Sequence, residues 1–269
     1  LRCAGGAALG DSCLSDPQIN ALKVFATPLN LGYTLASGEK GYPGYHVWGT
    51  DLGVPTSNPD LSLVGVTGLH LVQPAAPVTP DMPFMAAIYD QWTKYFVTRD
   101  ANFNGLALDP QNPGVWQARF NQLSLLQDNN KTNLQAFERK GGKFLLVHGT
   151  TDAAVSARAS ADYYQRLQDK MGKGKVKSFV RYWEIPGYGH ALSPTFNATF
   201  DVVTVLENWA ESGVKPKNLV TADKTGVIGR TRPLCDFPKW PKYKNGDVNL
   251  ASSFKCVKGN NDEDEDEDD

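Results

Sequence analysis

Histidine and cysteine are scarce in this chain, four of each in 269 residues, and the scarcity removes whole classes of chemistry. No C-x-x-C occurs and no histidine stands at ligand spacing from a cysteine, which argues against zinc. No dinucleotide-type glycine fingerprint, P-loop or H-E-x-x-H is present. No apolar run approaches the roughly 20 residues that cross a bilayer, so no membrane is expected. A net charge of −2 gives no field for nucleic acid or an anionic surface. Asp51, Asp60 and Asp109 are acidic but form no loop with calcium-ligand spacing, so no metal site is expected among them. The opening stretch "LRCAGGAALGDSCLSD" lacks an initiator Met, a basic n-region and an apolar h-region. That is the expectation for a chain that has lost a signal and more, or for a fragment.

What is present sorts into three regions. Residues 1–139 are rich in Gly, Pro and aromatics, with isolated helices. "SDPQINALKVFA" predicts a helix capped by Ser15, with Pro17 in the first turn and Gln18 three residues after the cap. Helical spacing also covers Met82 to Phe96 and Pro113 to Leu126. From residue 140 the texture changes: "GGKFLLVHG" reads as a strand buried on both faces, "SARASADYYQRLQDK" as a helix, "VKSFVRYWEIPG" as a second strand and "FDVVTVLENWAES" as a second helix. Strand, helix, strand, helix is the rhythm of a parallel α/β sheet, expected here over residues 140–257. Thr231 to Cys256 reads as irregular. Residues 258–269 end in "DEDEDEDD" and are expected to be a disordered, solvated acidic tail.

The cysteines fall into two local pairs, Cys3 with Cys13 and Cys235 with Cys256, read as two short-loop disulfides rather than buried free thiols. Asn130-Lys-Thr and Asn197-Ala-Thr are glycosylation sequons, in keeping with an exported protein.

Ligands of open α/β sheets bind beyond the carboxyl ends of the strands. Asp152 follows the first strand in "HGTTD", and His190 follows the second in "PGYGH". An acid and then a histidine, in that order, are the last two members of a Ser…Asp…His triad. The histidine would move a proton between nucleophile and leaving group, and the carboxylate would fix its tautomer. His148 is expected to end the strand and pack locally, while His46 and His70 lie in the loop-rich half. The nucleophile should stand upstream on a G-x-S-x-G elbow, and residues 1–140 contain none.

Several longer stretches carry a resemblance: "DSCLSDPQINALKVFATPL", "GYPGY", "YFVTRDANFN", "NLQAFERKGGKFLLVHGTTDAAV", "ADYYQRL", "PGYGH" and the closing "RPLCDFPKW" with "ASSFKC". In these the chain resembles the tannase and feruloyl esterase family of α/β-hydrolases along nearly all of its first 256 residues. The resemblance implies a secreted (extracellular or periplasmic) serine carboxylesterase acting on phenolic esters. It implies an α/β fold in which residues 1–139 are part of a loop-rich, mainly helical lid and residues 140–257 the C-terminal part of the hydrolase sheet. Asp152 then takes the place of the catalytic acid, His190 of the base and Val155 of an acyl-pocket side chain, and the two cysteine pairs match two family disulfides.

The chemistry implied needs no cofactor. The family's structural calcium loop belongs before residue 1, as does its nucleophile half, so the implied partner is an N-terminal half carrying the serine, with a small aromatic ester as substrate. One departure is local: the family's histidine is followed by a disulfide-bonded cysteine, and position 191 is Ala. The alternative reading is a non-catalytic relative that binds phenolic or glycosidic ligands through an aromatic lid. Trp92 lies on a helical stripe with Ile88 and Tyr95 and is expected in the core, whereas Arg99 reads equally as a salt-bridge partner or a lid contact.

Overall fold

The computed structural model describes residues 1–10, 12–47, 75–79, 82, 84–190, 193 and 196–259. Asp51, Asp60, His70, Ala191 and the acidic tail lie outside them. The chain divides into two compact units, Leu1–Asn130 with Ala153–Ala159, and Lys131–Asp152 with Ser160–Asp269.

In the first unit, Cys3 and Cys13 are disulfide-bonded ahead of α1 (Asp16–Ala26). The expected cap is there: the Gln18 amide donates to Ser15 Oγ, and the Ser15 amide to Gln18 Oε1 at 2.8 Å. Two-residue strands β1 (Leu29–Asn30) and β2 (Gly41–Tyr42) pair antiparallel. Then come α2 (Phe84–Trp92) and α3 (Gln117–Gln127), around a core of Val97, Leu108, Phe120 and Leu123.

The single helix expected to run to Phe96 is not continuous. After Trp92 the chain widens into a π-helix, Thr93–Thr98, which buries Thr93 and Val97 and leaves Tyr95 and Phe96 exposed. Ile88 is exposed too, so the stripe of Ile88, Trp92 and Tyr95 is not a core face. The Thr98 hydroxyl stabilises the wide turn by donating to the carbonyls of Thr93 and Lys94. Arg99 ends it in the left-handed region, with φ 56° and its side chain exposed.

The second unit holds α4 (Gln135–Arg139), β3 (Phe144–Gly149), α5 (Ala157–Met171) from Ser160 onward, α6 (Lys173–Phe179) and β4 (Val180–Ile185). After them come β5 (Ala198–Thr199), α7 (Val202–Ser212), β6 (Val220–Asp223), β7 (Thr231–Pro233), β8 (Trp240–Tyr243) and β9 (Phe254–Val257). β3 and β4 are parallel, with Phe144 opposite Val180 and Gly149 opposite Ile185. β4 is buried on both faces: Val180 and Tyr182 join Tyr164, Leu167, Val176 and Phe179, while Trp183 and Ile185 join Phe196 and Leu234. That is the environment a parallel strand needs. β3 contributes Phe144 and Leu146 to one cluster and Leu145 and Val147 to the other, only half-buried. Among the described residues β3 pairs with β4 alone.

Two expectations are corrected. The second strand does not begin at Val176. Val176 and Phe179, three residues apart, are both buried on one side of α6, and the strand starts at Val180. The stretch from Thr231 to Cys256 is not irregular: β7 pairs with β6, β8 pairs with β9, and Cys235 is bonded to Cys256. These strands are three or four residues long and carry Pro233 and Pro241, so no alternation could build up in the sequence.

Candidate active site

β3 and β4 end level with one another, and the chain beyond each is tied to the other by main-chain bonds. The Thr150 amide donates to the Ile185 carbonyl and the Thr151 amide to the Tyr188 carbonyl, both at 3.1 Å. Gly149 allows the approach, because a Cβ there would overlap the Tyr188 carbonyl oxygen. Gly187 turns the second loop with φ 79°, and Ser193 Oγ donates to its carbonyl at 2.8 Å. Two loops far apart in sequence are thus held side by side at one rim of the sheet.

Asp152 and His190 stand on those loops. His190 Nδ1 lies 2.9 Å from Asp152 Oδ2. The carboxylate is 5% exposed and the imidazole 48%, so the acid is sunk behind the ring and the ring faces outward. A carboxylate on Nδ1 keeps that nitrogen protonated and leaves Nε2, on the opposite edge, as the base. This pair can accept a proton from a nucleophile and stabilise the resulting imidazolium.

A residue that sequence reasoning set aside belongs to the same cluster. His148, the penultimate residue of β3, brings Nε2 to 3.3 Å from Asp152 Oδ2. Its Nδ1 is 2.7 Å from the hydroxyl of Ser160 on α5. The signal was its place four residues before Asp152 at a strand end. Opposite it on β4, Glu184 accepts from the Tyr182 hydroxyl at 2.8 Å. Burial pushes the Glu184 carboxyl up, against the opposing pull of that hydroxyl and of His148.

The other candidates lie elsewhere. Val155 is 42% exposed in the Ala153–Ala159 segment of the first unit. Trp92 stacks on Phe120, ring centroids 5.4 Å apart, and donates from Nε1 to Gln127 Oε1 at 3.0 Å. Both sequon asparagines have engaged amides. Asn130 donates to Ser37 O and Glu39 Oε1, and the buried Asn197 donates to Thr225 Oγ1, bonds that a glycan would have to displace. Asp109 is occupied in a turn, accepting from the Gln111 amide and from Asn112. Among the described residues no three His, Cys, Asp or Glu side chains converge as metal ligands, and no helix is long and apolar enough to cross a membrane.

The family model for tannase and feruloyl esterase matches residues 1–257. The chain belongs to the tannase and feruloyl esterase family. An uncharacterised esterase of Agrobacterium fabrum is 35% identical over 251 residues, 92% of this chain and 43% of the relative. The mono(2-hydroxyethyl) terephthalate hydrolase of Piscinibacter sakaiensis is 31% identical over 278 residues, 96% of this chain and 44% of that enzyme. Among solved structures, feruloyl esterase B from Aspergillus oryzae superposes with a TM-score of 0.66 at 23% identity, covering 96% of this chain and 49% of that one. The tannin acyl hydrolase of Aspergillus niger gives 0.62 at 17%, with 96% and 45% covered. The fold is therefore the one this esterase family shares. This family member spans under half the length of the two curated relatives.

Proposed function

We propose that this chain supplies the acid and base of a serine carboxylesterase acting on small aromatic esters of the galloyl or feruloyl kind. The observation that carries the reading is the 2.9 Å contact between His190 Nδ1 and Asp152 Oδ2 beyond the ends of two parallel strands. In this reading Asp152 orients His190, and Nε2 of His190 takes the proton of a serine hydroxyl as it attacks the ester carbonyl. The same proton then passes to the leaving alcohol, and water, activated by the same nitrogen, releases the acid. The serine lies on an N-terminal half of the hydrolase, which also completes the sheet. The half-buried side chains of β3, and its pairing with β4 alone among the described residues, support a further neighbour. The second unit is then the C-terminal part of the hydrolase sheet and the first unit part of a lid. Two disulfides support an oxidising, exported setting.

The test assays methyl ferulate and methyl gallate with the chain alone and with the N-terminal half supplied. Turnover only in the second case, lost in His190→Ala, is the expected result. Turnover by the chain alone that His190→Ala abolishes would refute the split site.

A second reading, a phenol-binding module without catalysis, is favoured by one observation. Tyr33, Leu35, Trp92, Phe120 and Leu123 line a cavity of about 170 Å³ in the first unit, room for little more than one ring. Quenching of tryptophan fluorescence by ferulate, lost in Trp92→Phe, with no turnover after the N-terminal half is added, would favour it instead.

A further inference from the structure

The cavity in the first unit is built to stay open. Three segments wall it, and hydrogen bonds tie them to one another. Along one wall Leu31, Tyr33 and Leu35 alternate with exposed residues, and the Tyr33 hydroxyl donates to the Pro110 carbonyl at 2.7 Å. The same wall is fixed to α3, where the Ala36 amide donates to Asn121 Oδ1 and the Ser37 amide to Ser124 Oγ. Trp92, at the end of α2, stacks on Phe120 of α3 and is bonded through Nε1 to Gln127. The hydroxyls of Tyr33 and Ser124 and the indole N–H of Trp92 are engaged in these wall-to-wall bonds. What faces the space is mainly ring and methyl surface.

Size and charge select the occupant. The volume is about 170 Å³, and an apolar cavity of about 150 Å³ stays dry and takes up benzene. One aromatic ring therefore fills it, driven by burial of its surface. Gln127 is the exposed residue of the lining and marks the mouth, and Asp128 beside it is the one charged side chain of the lining. Asp128 accepts from the Ser37 hydroxyl, a neutral donor that leaves its charge in place. A substituent on the enclosed ring emerges at that carboxylate. A hydroxyl or amide can donate to it, whereas a second carboxylate meets a like charge in partly dehydrated surroundings. An acid held off the ring by a spacer, as in ferulate, keeps its charge in water.

We propose that this cavity is a binding site for a single aromatic ring that carries no anionic group of its own, such as a phenol, an amide or an ester, and that Asp128 excludes rings with a directly attached carboxylate. The inference rests on the cavity being a ring site, as in the second reading above, and not on the chain lacking catalysis. Under the esterase reading it has a direct consequence. A benzoate-type ester is uncharged and fits, and the acid released from it does not.

Benzamide and benzoate, nearly isosteric but different in charge, test this on the full chain by NMR. Benzamide should shift the Trp92 indole N–H saturably, with a Kd of about 1 mM. Its ring protons should show nuclear Overhauser contacts to the methyl groups of Leu35 and Leu123. Benzoate should bind about tenfold more weakly or worse, the order set by two like charges a few ångströms apart near a surface. In Asp128→Asn, which keeps an acceptor for Ser37 and removes the charge, the two ligands should bind within about threefold of each other. Equal affinities in the wild type, a gap unchanged in Asp128→Asn, ring contacts elsewhere, or no saturable shift would each overturn the proposal. If Asp128→Asn does not fold, benzamidine, the cationic isostere, decides on the wild type: binding at least as tight as benzamide supports the proposal and weaker binding overturns it. Ester turnover once the N-terminal half is supplied, alongside the predicted affinities, would sink the non-catalytic reading and leave this inference standing.

Discussion

A buried carboxylate shared by two imidazoles is held by charge and direction more than by packing, and a near-isosteric change therefore exposes its role. Asn at 152 has almost the volume of Asp but can present an N–H to His190, which would force the ring proton onto Nε2 and remove the base. With the N-terminal half present, Asp152→Asn is expected to lower kcat by about 10³ to 10⁴ and to leave KM nearly unchanged, as steady-state kinetics on methyl ferulate would show. Glu184, one strand away, answers to pH instead. Burial, outweighing the downward pull of the Tyr182 hydroxyl and of His148, puts its folded carboxyl above its ordinary 4.5. The folded protein therefore holds that proton more tightly. The stability so gained is complete below pH 4.5 and is lost as pH rises through the raised value. Glu184→Gln, which keeps the acceptor for Tyr182, should match wild type in melting temperature on the acid side of this window. Above it the variant should melt higher. Equal melting temperatures at every pH would show that the carboxylate bears no burial cost.

At the scale of elements, the decisive feature is the crossing of two loops over Gly149. A methyl group there has nowhere to go but against the Tyr188 carbonyl, so Gly149→Ala must part the loops that carry Asp152 and His190. A loss of about 1–3 kcal/mol is expected, the usual cost of overpacking, seen as a lower urea midpoint at unchanged slope. This crossing also shows how far the sequence could be read. "GGKFLLVHG" and "VKSFVRYWEIPG" announce two strands by apolar content, although only β4 is buried on both faces and β3 is half-buried, and the acid and histidine just beyond them follow from the rule for ligands at strand ends. The capping box at Ser15 was equally plain because its signal is local. What escaped depends on contacts. A π-helix has no hydrophobic period that separates it from an α-helix over six residues. Val176 to Phe179 has the β-branched and aromatic look of a strand, yet it is helical because the two side chains share one buried face. His148 reads as an ordinary strand residue until Asp152 folds back to within 3.3 Å of it.

For the molecule as a whole, the family model covers nearly the entire chain, while the chain covers under half of its curated relatives. Among the described residues β3 pairs with β4 alone, and no G-x-S-x-G stands upstream of Asp152 in this sequence; on the proposed reading the serine is supplied by another segment. The most direct measurement is labelling with a fluorophosphonate, which reacts with an activated serine and reports its position by mass spectrometry. The account predicts one labelled serine on the N-terminal half, modified rapidly only when this chain is present with His190 intact. A label on any serine within residues 1–269, or labelling that is indifferent to His190→Ala, would contradict it.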